Sequence, residues 1–178
     1  MMIVPKRQTP REISQEEIGA ICSIKNQYWP HSIESQLEWW KKHTDKDDVF
    51  VTLVNGGTTI AFLRLRKRTV AVSNACLDAL CATEVCVDEQ YRGRGLGKQL
   101  LDVAATHIKS TGSSLAYLLC WDTQAAFYHA CGWRRLASPQ IKSSNGRESR
   151  SLAANERCMV FDPQNRLNGQ VVLYGDVF

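Results

Sequence analysis

The residues with the clearest chemical potential form a short glycine-rich stretch interleaved with cations. Glycine occupies every second position, and basic side chains stand among and beside the glycines: Arg92, Gly93, Arg94, Gly95, Leu96, Gly97 and Lys98. Glycine lets a backbone turn tightly and approach a ligand closely. The apolar run Val85-Cys86-Val87 precedes the stretch, and a helical pattern follows it. Because a loop that opens a helix presents unpaired N–H groups and the positive end of a dipole, the pattern predicts a pyrophosphate site.

Three familiar phosphate-binding motifs do not fit this stretch. A Walker loop requires GxxxxGK[ST], but Lys98 is followed by Gln99. A Rossmann fingerprint requires GxGxxG, whereas Gly97 follows Gly95 by two positions. A kinase glycine-rich loop joins two strands, and this one opens a helix.

The remaining pattern, Arg-Gly-Arg-Gly-Leu-Gly, resembles the acetyl-CoA loop of the GNAT acetyltransferases, RGxGhG with h an apolar residue. A second segment supports the resemblance. The strand pattern Leu-Leu-Cys-Trp leads into a helix ending in Phe-Tyr-His-Ala-Cys-Gly-Trp, which is similar to the family's (Leu/Phe)-Tyr-x-x-x-Gly-(Phe/Trp). The resemblance covers residues 49 to 133. It implies a single-domain α/β fold with a mixed central sheet flanked by helices, and direct acetyl transfer from acetyl-CoA to an amine.

The same resemblance implies roles for individual residues. Glu84 would accept the amine proton, directly or through water, and Tyr128 would protonate the leaving thiolate. The backbone N–H groups of Val85 and Val87 would hold the thioester carbonyl and the pantetheine arm. Strand alternation puts Glu84 on the face opposite to Val85 and Val87, and a bulge would re-aim it.

The residues expected at the cofactor are Val85, Cys86, Val87, Arg92, Gly93, Arg94, Gly95, Leu96, Gly97 and Lys98. Two neighbouring groups are not expected to react. The Cys86 side chain faces away from the cofactor and has no activating base nearby in sequence, which disfavours a covalent acetyl-cysteine. His129 points about 100° away from Tyr128 on a helix, so it is read as a surface or structural residue.

The chain end, Gly-Asp-Val-Phe, is similar to that of the aminoglycoside 2'-N-acetyltransferases, a GNAT branch that closes on Gly-Asp-x-Trp. That likeness implies a resistance enzyme acting on an aminoglycoside, including one with few amines such as kasugamycin. The residues expected to contact the substrate are Trp40, Glu156, Asp176 and Phe178. Protein or peptide N-acetylation, and a non-catalytic domain that binds acyl-CoA, are the alternatives.

Helices and strands that could position these groups follow from hydrophobic periodicity and turn residues. Ser14 and Glu17 predict a capping box in the first helix, and Asp122 is the candidate N-cap of the last. The expected helices are Pro10 to Asn26, Ile33 to His43, Leu96 to Lys109 and Asp122 to Ala130. The expected strands are Val49 to Val54, Thr59 to Arg66, Leu77 to Val87, Leu115 to Cys120, Arg157 to Asp162 and Gly169 to Tyr174.

Composition is that of a globular protein: 178 residues, 44% hydrophobic and 22% charged. We expect one domain over residues 1–178, a small-molecule amine as substrate, and no nucleic-acid or membrane partner; a homodimer is left open. The densest basic run, Arg64 to Arg68, is interpreted as a solvated strand face. The seven cysteines form no CxxC pair, so no metal site or disulfide framework is expected, which fits the cytoplasm.

Overall fold

The structure, a computed structural model, describes residues 2–73 and 75–175. The helices are α1 (Gln15–Asn26), α2 (Ile33–His43), α3 (Leu96–Ser110) and α4 (Asp122–Ala130), and a short 3-10 helix spans Glu89–Tyr91. The strands are β1 (Ile3–Gln8), β2 (Val49–Asn55), β3 (Thr58–Val72), β4 (Ala75–Val87), β5 (Ala116–Trp121), β6 (Arg134–Leu136), β7 (Gln140–Lys142), β8 (Ser149–Arg150), β9 (Glu156–Phe161) and β10 (Val171–Tyr174).

The described chain divides into two compact units, and β3, β4 and α3 each contribute residues to both. The first unit consists of Met1–Arg66 and Ala82–Ala104. The second consists of Lys67–Cys81 and Ala105–Phe178. The prediction of a single domain over residues 1–178 stays a prediction.

Antiparallel pairing of β1 with β2, and of β2 with β3, forms the sheet of the first unit. One core of the first unit joins buried residues of α1 and α2 to residues of β2, β3 and β4 and to Ile13, just before α1. Its members are Ile13, Ile18, Ile21, Cys22, Ile24, Trp40, Phe50, Phe62 and Cys86. At the start of α1, Ser14 Oγ accepts the Glu17 N–H and the Glu17 carboxylate accepts the Ser14 N–H. This reciprocal pair is the predicted capping box, so that prediction is confirmed.

The sheet of the second unit follows the order β6-β9-β5-β4-β3-β10-β7-β8 and is mixed. The pairs β4–β5 and β10–β7 are parallel, whereas β5–β9 and β10–β3 are antiparallel. Only residues 137–139 link β6 to β7, although five strands separate these two in the sheet. Four Cα–Cα steps span at most about 15 Å, so the sheet of this unit must curl until β6 and β7 approach each other.

The apolar core of this unit includes Val70, Leu115, Tyr117, Cys158 and Leu173. On α3, buried residues at helical spacing form one stripe: Leu96, Leu100, Leu101, Ala104 and Ile108. The sequence analysis predicted this helix from its hydrophobic periodicity, and the buried stripe is the physical basis of that pattern.

Several sequence-based boundaries were wrong for identifiable reasons. Strand β1 was not expected, because its middle is exposed and charged with a proline at position 5. The turn at residues 10–12 delays α1 to Gln15. Strand β3 continues to Val72, well past Arg66. The N-cap of α4 is Trp121, with Asp122 as the first helical residue.

Candidate active site

The carboxylate expected to act as a base lies at an irregular point of β4. Glu84 has φ +56°, a left-handed value that is uncommon for a residue other than glycine. The regular alternation of the strand is therefore broken there. The side chain is 11% exposed and lies between two cations: Lys25 Nζ is 2.6 Å from Oε1, and Arg64 Nε is 3.1 Å from Oε2. A substrate amine or a water could reach this carboxylate only beside Lys25 and Arg64.

The ion pairs of Glu84 belong to a larger buried network in the first unit. Arg64 Nη1 is 3.5 Å from Asp48 Oδ2, and Arg66 Nε is 3.3 Å from Asp48 Oδ1. Arg66 also pairs with the exposed Asp45 at 3.2 Å. The side chains of Arg64 and Arg66 are 0% and 3% exposed. The interpretation of the basic run as a solvated face was therefore wrong for these two arginines, because their partners lie on distant segments of the chain.

Aromatic rings complete the surroundings of the network. Lys25 Nζ lies 4.3 Å from the ring centroid of Trp39, and Arg64 Cζ lies 4.6 Å from that of Trp40. Both contacts are cation–π interactions. Trp40 is 4% exposed and packs against Phe50 in the core. Its ring offers no open face to a substrate, contrary to the expectation that it lines the acceptor pocket.

The glycine-rich loop has the backbone that its sequence predicts. Gly93 and Gly95 adopt φ values of +75° and +76°, which residues with side chains rarely adopt. A Cβ added at either position would meet no atom within 4 Å. The requirement for glycine therefore comes from backbone conformation, and the space beside the loop is open to a ligand. Gly97 lies in the first turn of α3, where N–H groups lack partners within the helix.

Three cations flank this loop, and each has an intramolecular contact. Arg94 Nη2 donates to the Gln90 carbonyl oxygen at 3.1 Å. Lys98 Nζ donates to Asp102 Oδ2 at 2.7 Å, and both side chains are more than half exposed. Arg92 turns back towards β4, where its Nε donates to the Val87 carbonyl oxygen at 3.3 Å. The contacts of Arg94 and Lys98 are exposed, and exposed contacts of this kind contribute little to stability.

The two edges of β4 differ between alternate residues, as expected for a strand. Cys86 is buried and its thiol donates to the Phe62 carbonyl oxygen of β3 at 3.6 Å. Burial raises the pKa of the Cys86 thiol, which removes it as a nucleophile. The Asp88 N–H also points to β3 and donates to the Ile60 carbonyl oxygen. Because backbone groups alternate between the two edges of a strand, those of Val87 lie on the edge away from β3.

At Val87 this edge is already engaged by a side chain. The Val87 N–H donates to the Tyr28 hydroxyl oxygen at 3.0 Å, and that hydroxyl donates to the Val87 carbonyl oxygen at 2.6 Å. The N–H expected to hold the pantetheine arm thus has an internal partner. The Leu96 side chain, expected at the cofactor, is buried in the core, so only its backbone faces the loop.

In the second unit, Tyr128 lies on α4 and is 7% exposed. Its ring packs edge-on against Phe127, with 5.1 Å between centroids. The neighbouring His129 is exposed, in agreement with its interpretation as a surface residue. After α4, Gly132 adopts φ +84° and the Trp133 N–H donates to the Tyr128 carbonyl oxygen at 3.1 Å. The Tyr-x-x-x-Gly-Trp pattern is therefore a helix C-terminus that fixes the backbone of Tyr128.

Glu156, expected to contact the substrate, is held by Arg150 through two hydrogen bonds of 2.5 and 2.9 Å. Those bonds lower the pKa of the Glu156 carboxyl. A cavity of about 390 Å³ lies beside Glu156, lined also by Arg135, Leu136, Ser138, Pro139, Gln140, Ser151, Leu152, Ala153 and Arg157. The remaining two substrate residues predicted from the sequence, Asp176 and Phe178, lie outside the described residues.

Sequence reasoning missed Lys25 and Tyr28. Lys25 is 3% exposed although it sits in the polar last turn of α1. Both residues make contacts that join segments some 60 positions apart, which local patterns do not reveal. The sequence contained two signals for these residues: Lys25 lies beside the apolar stripe of α1, and Tyr28 follows the end of that helix by two residues.

A glycine-rich loop that joins a strand of a mixed sheet to a helix is the arrangement expected of a protein that binds a phosphate-bearing cofactor. A family model described as an acetyltransferase (GNAT) domain matches residues 9–136. The chain therefore belongs to the GNAT acetyltransferase family. A sequence search of curated proteins found no match. Within the described ranges there is no group of three or more residues suited to bind a metal, and no helix with the length and apolarity to cross a membrane.

Solved structures share this fold at low sequence identity. Escherichia coli YhbS, a GNAT family N-acetyltransferase in complex with CoA, is 15% identical with a TM-score of 0.68 over 98% of this chain and 89% of that one. Escherichia coli ElaA is 16% identical, with a TM-score of 0.63 over 89% and 99%. Arabidopsis thaliana glucosamine-6-phosphate N-acetyltransferase is 20% identical, with a TM-score of 0.57 over 75% and 94%.

The buried network predicts a large effect of removing one cation. Arg64→Met should destabilise the protein by about 3–5 kcal/mol, because Glu84 and Asp48 lose a buried partner. Urea denaturation measures this change. Arg11→Met, at an exposed position of the same unit, is the matched control and should alter stability by at most about 0.5 kcal/mol. A loss below about 1 kcal/mol for Arg64→Met would contradict the structural role of the network.

Proposed function

We propose that this protein transfers the acetyl group of acetyl-CoA to the amine of a small molecule. The observation that carries the proposal is the loop between β4 and α3, in which Gly93 and Gly95 adopt positive φ beside open space. Family membership supports the same activity. The cytoplasm, where acetyl-CoA is made and used, is the proposed location.

The loop and its flanking cations offer groups that could bind the phosphates of acetyl-CoA. The N–H groups of the loop and of the first turn of α3 would donate to the pyrophosphate oxygens. The exposed side chains of Arg94 and Lys98 would exchange their weak internal contacts for phosphate. Acetyl-CoA supplies the activated thioester, and no metal is needed for that chemistry.

In the proposed reaction the amine nitrogen attacks the thioester carbon, a C–N bond forms, and the C–S bond breaks. The amine must lose a proton, and the departing thiolate must gain one. Tyr128 would supply the second proton from its phenol. Glu84 would receive the first, and since both its oxygens already contact cations, we propose that a water beside Glu84 carries the proton from the amine.

An aminoglycoside 2'-amine is the specific acceptor that we propose on the sequence resemblance of the chain end. Aminoglycosides carry several ammonium groups, which need acidic partners. Glu84 and Glu156 are both already paired with cations. Recognition of such a substrate would therefore depend on Asp176, with Phe178 packing on a sugar ring.

The loop assignment predicts that Gly95→Glu abolishes binding of acetyl-CoA. The new residue would be strained at φ +76°, and its carboxylate would repel the phosphates. Gly56→Glu is a matched control, because Gly56 also has positive φ and open space in the first unit but lies in the β2–β3 turn. Calorimetry of both folded variants, together with thiol release across a panel of amines that includes aminoglycosides, tests binding and activity.

Unchanged affinity in Gly95→Glu would overturn the cofactor site. Thiol release with simple amines or peptides but with no aminoglycoside would leave acetyl transfer intact and remove the aminoglycoside proposal.

The role of Tyr128 predicts that Tyr128→Phe lowers kcat by about 10²–10⁴-fold, the usual contribution of a general acid, with little change in acetyl-CoA affinity. Steady-state kinetics with the best amine of the panel measures this loss. Tyr117→Phe, in the apolar core of the same unit, is the control and should retain its turnover. Near wild-type turnover in Tyr128→Phe would make the tyrosine structural.

A further inference from the structure

The hydroxyl of Tyr28 is fully satisfied by contacts with the end of β4 and the start of the loop. A phenol can donate one hydrogen bond and accept two. Tyr28 donates to the Val87 carbonyl oxygen at 2.6 Å and accepts from the Val87 N–H at 3.0 Å. The Arg92 Nε–H supplies the third bond at 3.1 Å. The Tyr28 hydroxyl therefore forms hydrogen bonds with both backbone polar groups of Val87.

Arg92 reinforces this arrangement. Its guanidinium carbon lies 4.4 Å from the centroid of the Tyr28 ring. The arginine thus packs over the ring while it donates to the hydroxyl. Arg92, the first residue of the glycine-rich motif, is therefore directed towards Tyr28.

The segment that carries Tyr28 is itself tied to the same region. Gln27 Oε1 accepts the Glu89 N–H at 2.9 Å, and Gln27 Nε2 donates to Asp88 Oδ2 at 3.3 Å. The Tyr28 N–H donates to the Lys25 carbonyl oxygen at 3.0 Å, which continues the turn of α1. Backbone and side chain together place Tyr28 at the strand edge.

We propose that Tyr28 competes with the pantetheine arm of acyl-CoA for the edge of β4, and so sets the affinity for the cofactor. This inference rests on the proposed function. An extended chain of amides binds a strand edge through the N–H and C=O groups of alternate residues. The Val87 groups belong to that edge, where the Tyr28 hydroxyl bonds both of them at 2.6 and 3.0 Å. Arg92 Nε also contacts the carbonyl oxygen at 3.3 Å, so an amide of the pantetheine arm must displace these partners.

Displacement of Tyr28 has a second consequence. When Tyr28 leaves Val87, Arg92 loses the hydroxyl, which is one of its two acceptors, and the ring on which it packs. The guanidinium is then released towards the phosphates that the loop binds. Binding of the pantetheine arm and recruitment of Arg92 are therefore coupled, and the end of α1 rearranges as the cofactor enters.

The test is the affinity for acetyl-CoA of Tyr28→Phe, which keeps the ring and removes the hydroxyl. We expect the dissociation constant from calorimetry to fall about tenfold, which corresponds to one or two net hydrogen bonds no longer broken on binding. Gln27→Ala keeps the hydroxyl but loosens its support, and should lower the dissociation constant by a smaller factor. Tyr174→Phe, on β10 of the second unit, is the matched control and should bind as the wild type does.

The outcomes separate this inference from the proposed function. A wild-type protein that binds no acetyl-CoA would overturn both. A wild-type protein that binds, with Tyr28→Phe equal or weaker in affinity, would overturn the competition alone, and weaker binding would instead make Tyr28 a cofactor contact.

Discussion

The position of Glu84 between Lys25 and Arg64 is the constraint on which the candidate site depends. A left-handed residue within a strand costs free energy and persists only where its surroundings hold it. Here the carboxylate lies 2.6 Å from one buried cation and 3.1 Å from another. Arg64 extends the network to Asp48, and the rings of Trp39 and Trp40 cover its cations. These contacts therefore hold the backbone of β4 at Glu84, three residues before the strand ends at Val87.

This constraint separates two roles that the sequence analysis predicted for residues 84–87 of β4, proton transfer and cofactor binding. The carboxylate of Glu84 contacts buried cations, whereas the backbone of Val87 lies at a strand edge and bonds the Tyr28 hydroxyl. In the proposed reaction the first group handles a proton and the second meets the cofactor. Tyr28 connects this strand edge to the end of α1, because its hydroxyl bonds both backbone polar groups of Val87.

Sequence patterns predicted the features that are local in the chain. The glycine-rich loop, the buried stripe of α3 and the Ser14–Glu17 capping box depend on residues within a few positions of one another. The short strands β7 and β8, of three and two residues, carry too little pattern to detect. The charges of Arg64 and Arg66 were misread because Asp48 lies 16 and 18 positions away from them. Arginines that alternate along a strand indicate a solvated face, and only the structure reveals the buried acidic side chains that pair with them.

The central claim is that the loop between β4 and α3 binds acetyl-CoA, and an NMR titration tests it most directly. In spectra of the ¹⁵N-labelled protein, addition of CoA should shift the backbone amide signals of Gly93, Gly95 and Gly97 more than those of glycines elsewhere, such as Gly56 in the β2–β3 turn. The amide of Val87 should shift with them as Tyr28 leaves it. Loop glycine signals that do not move at saturating CoA, or larger shifts elsewhere in the chain, would contradict the account.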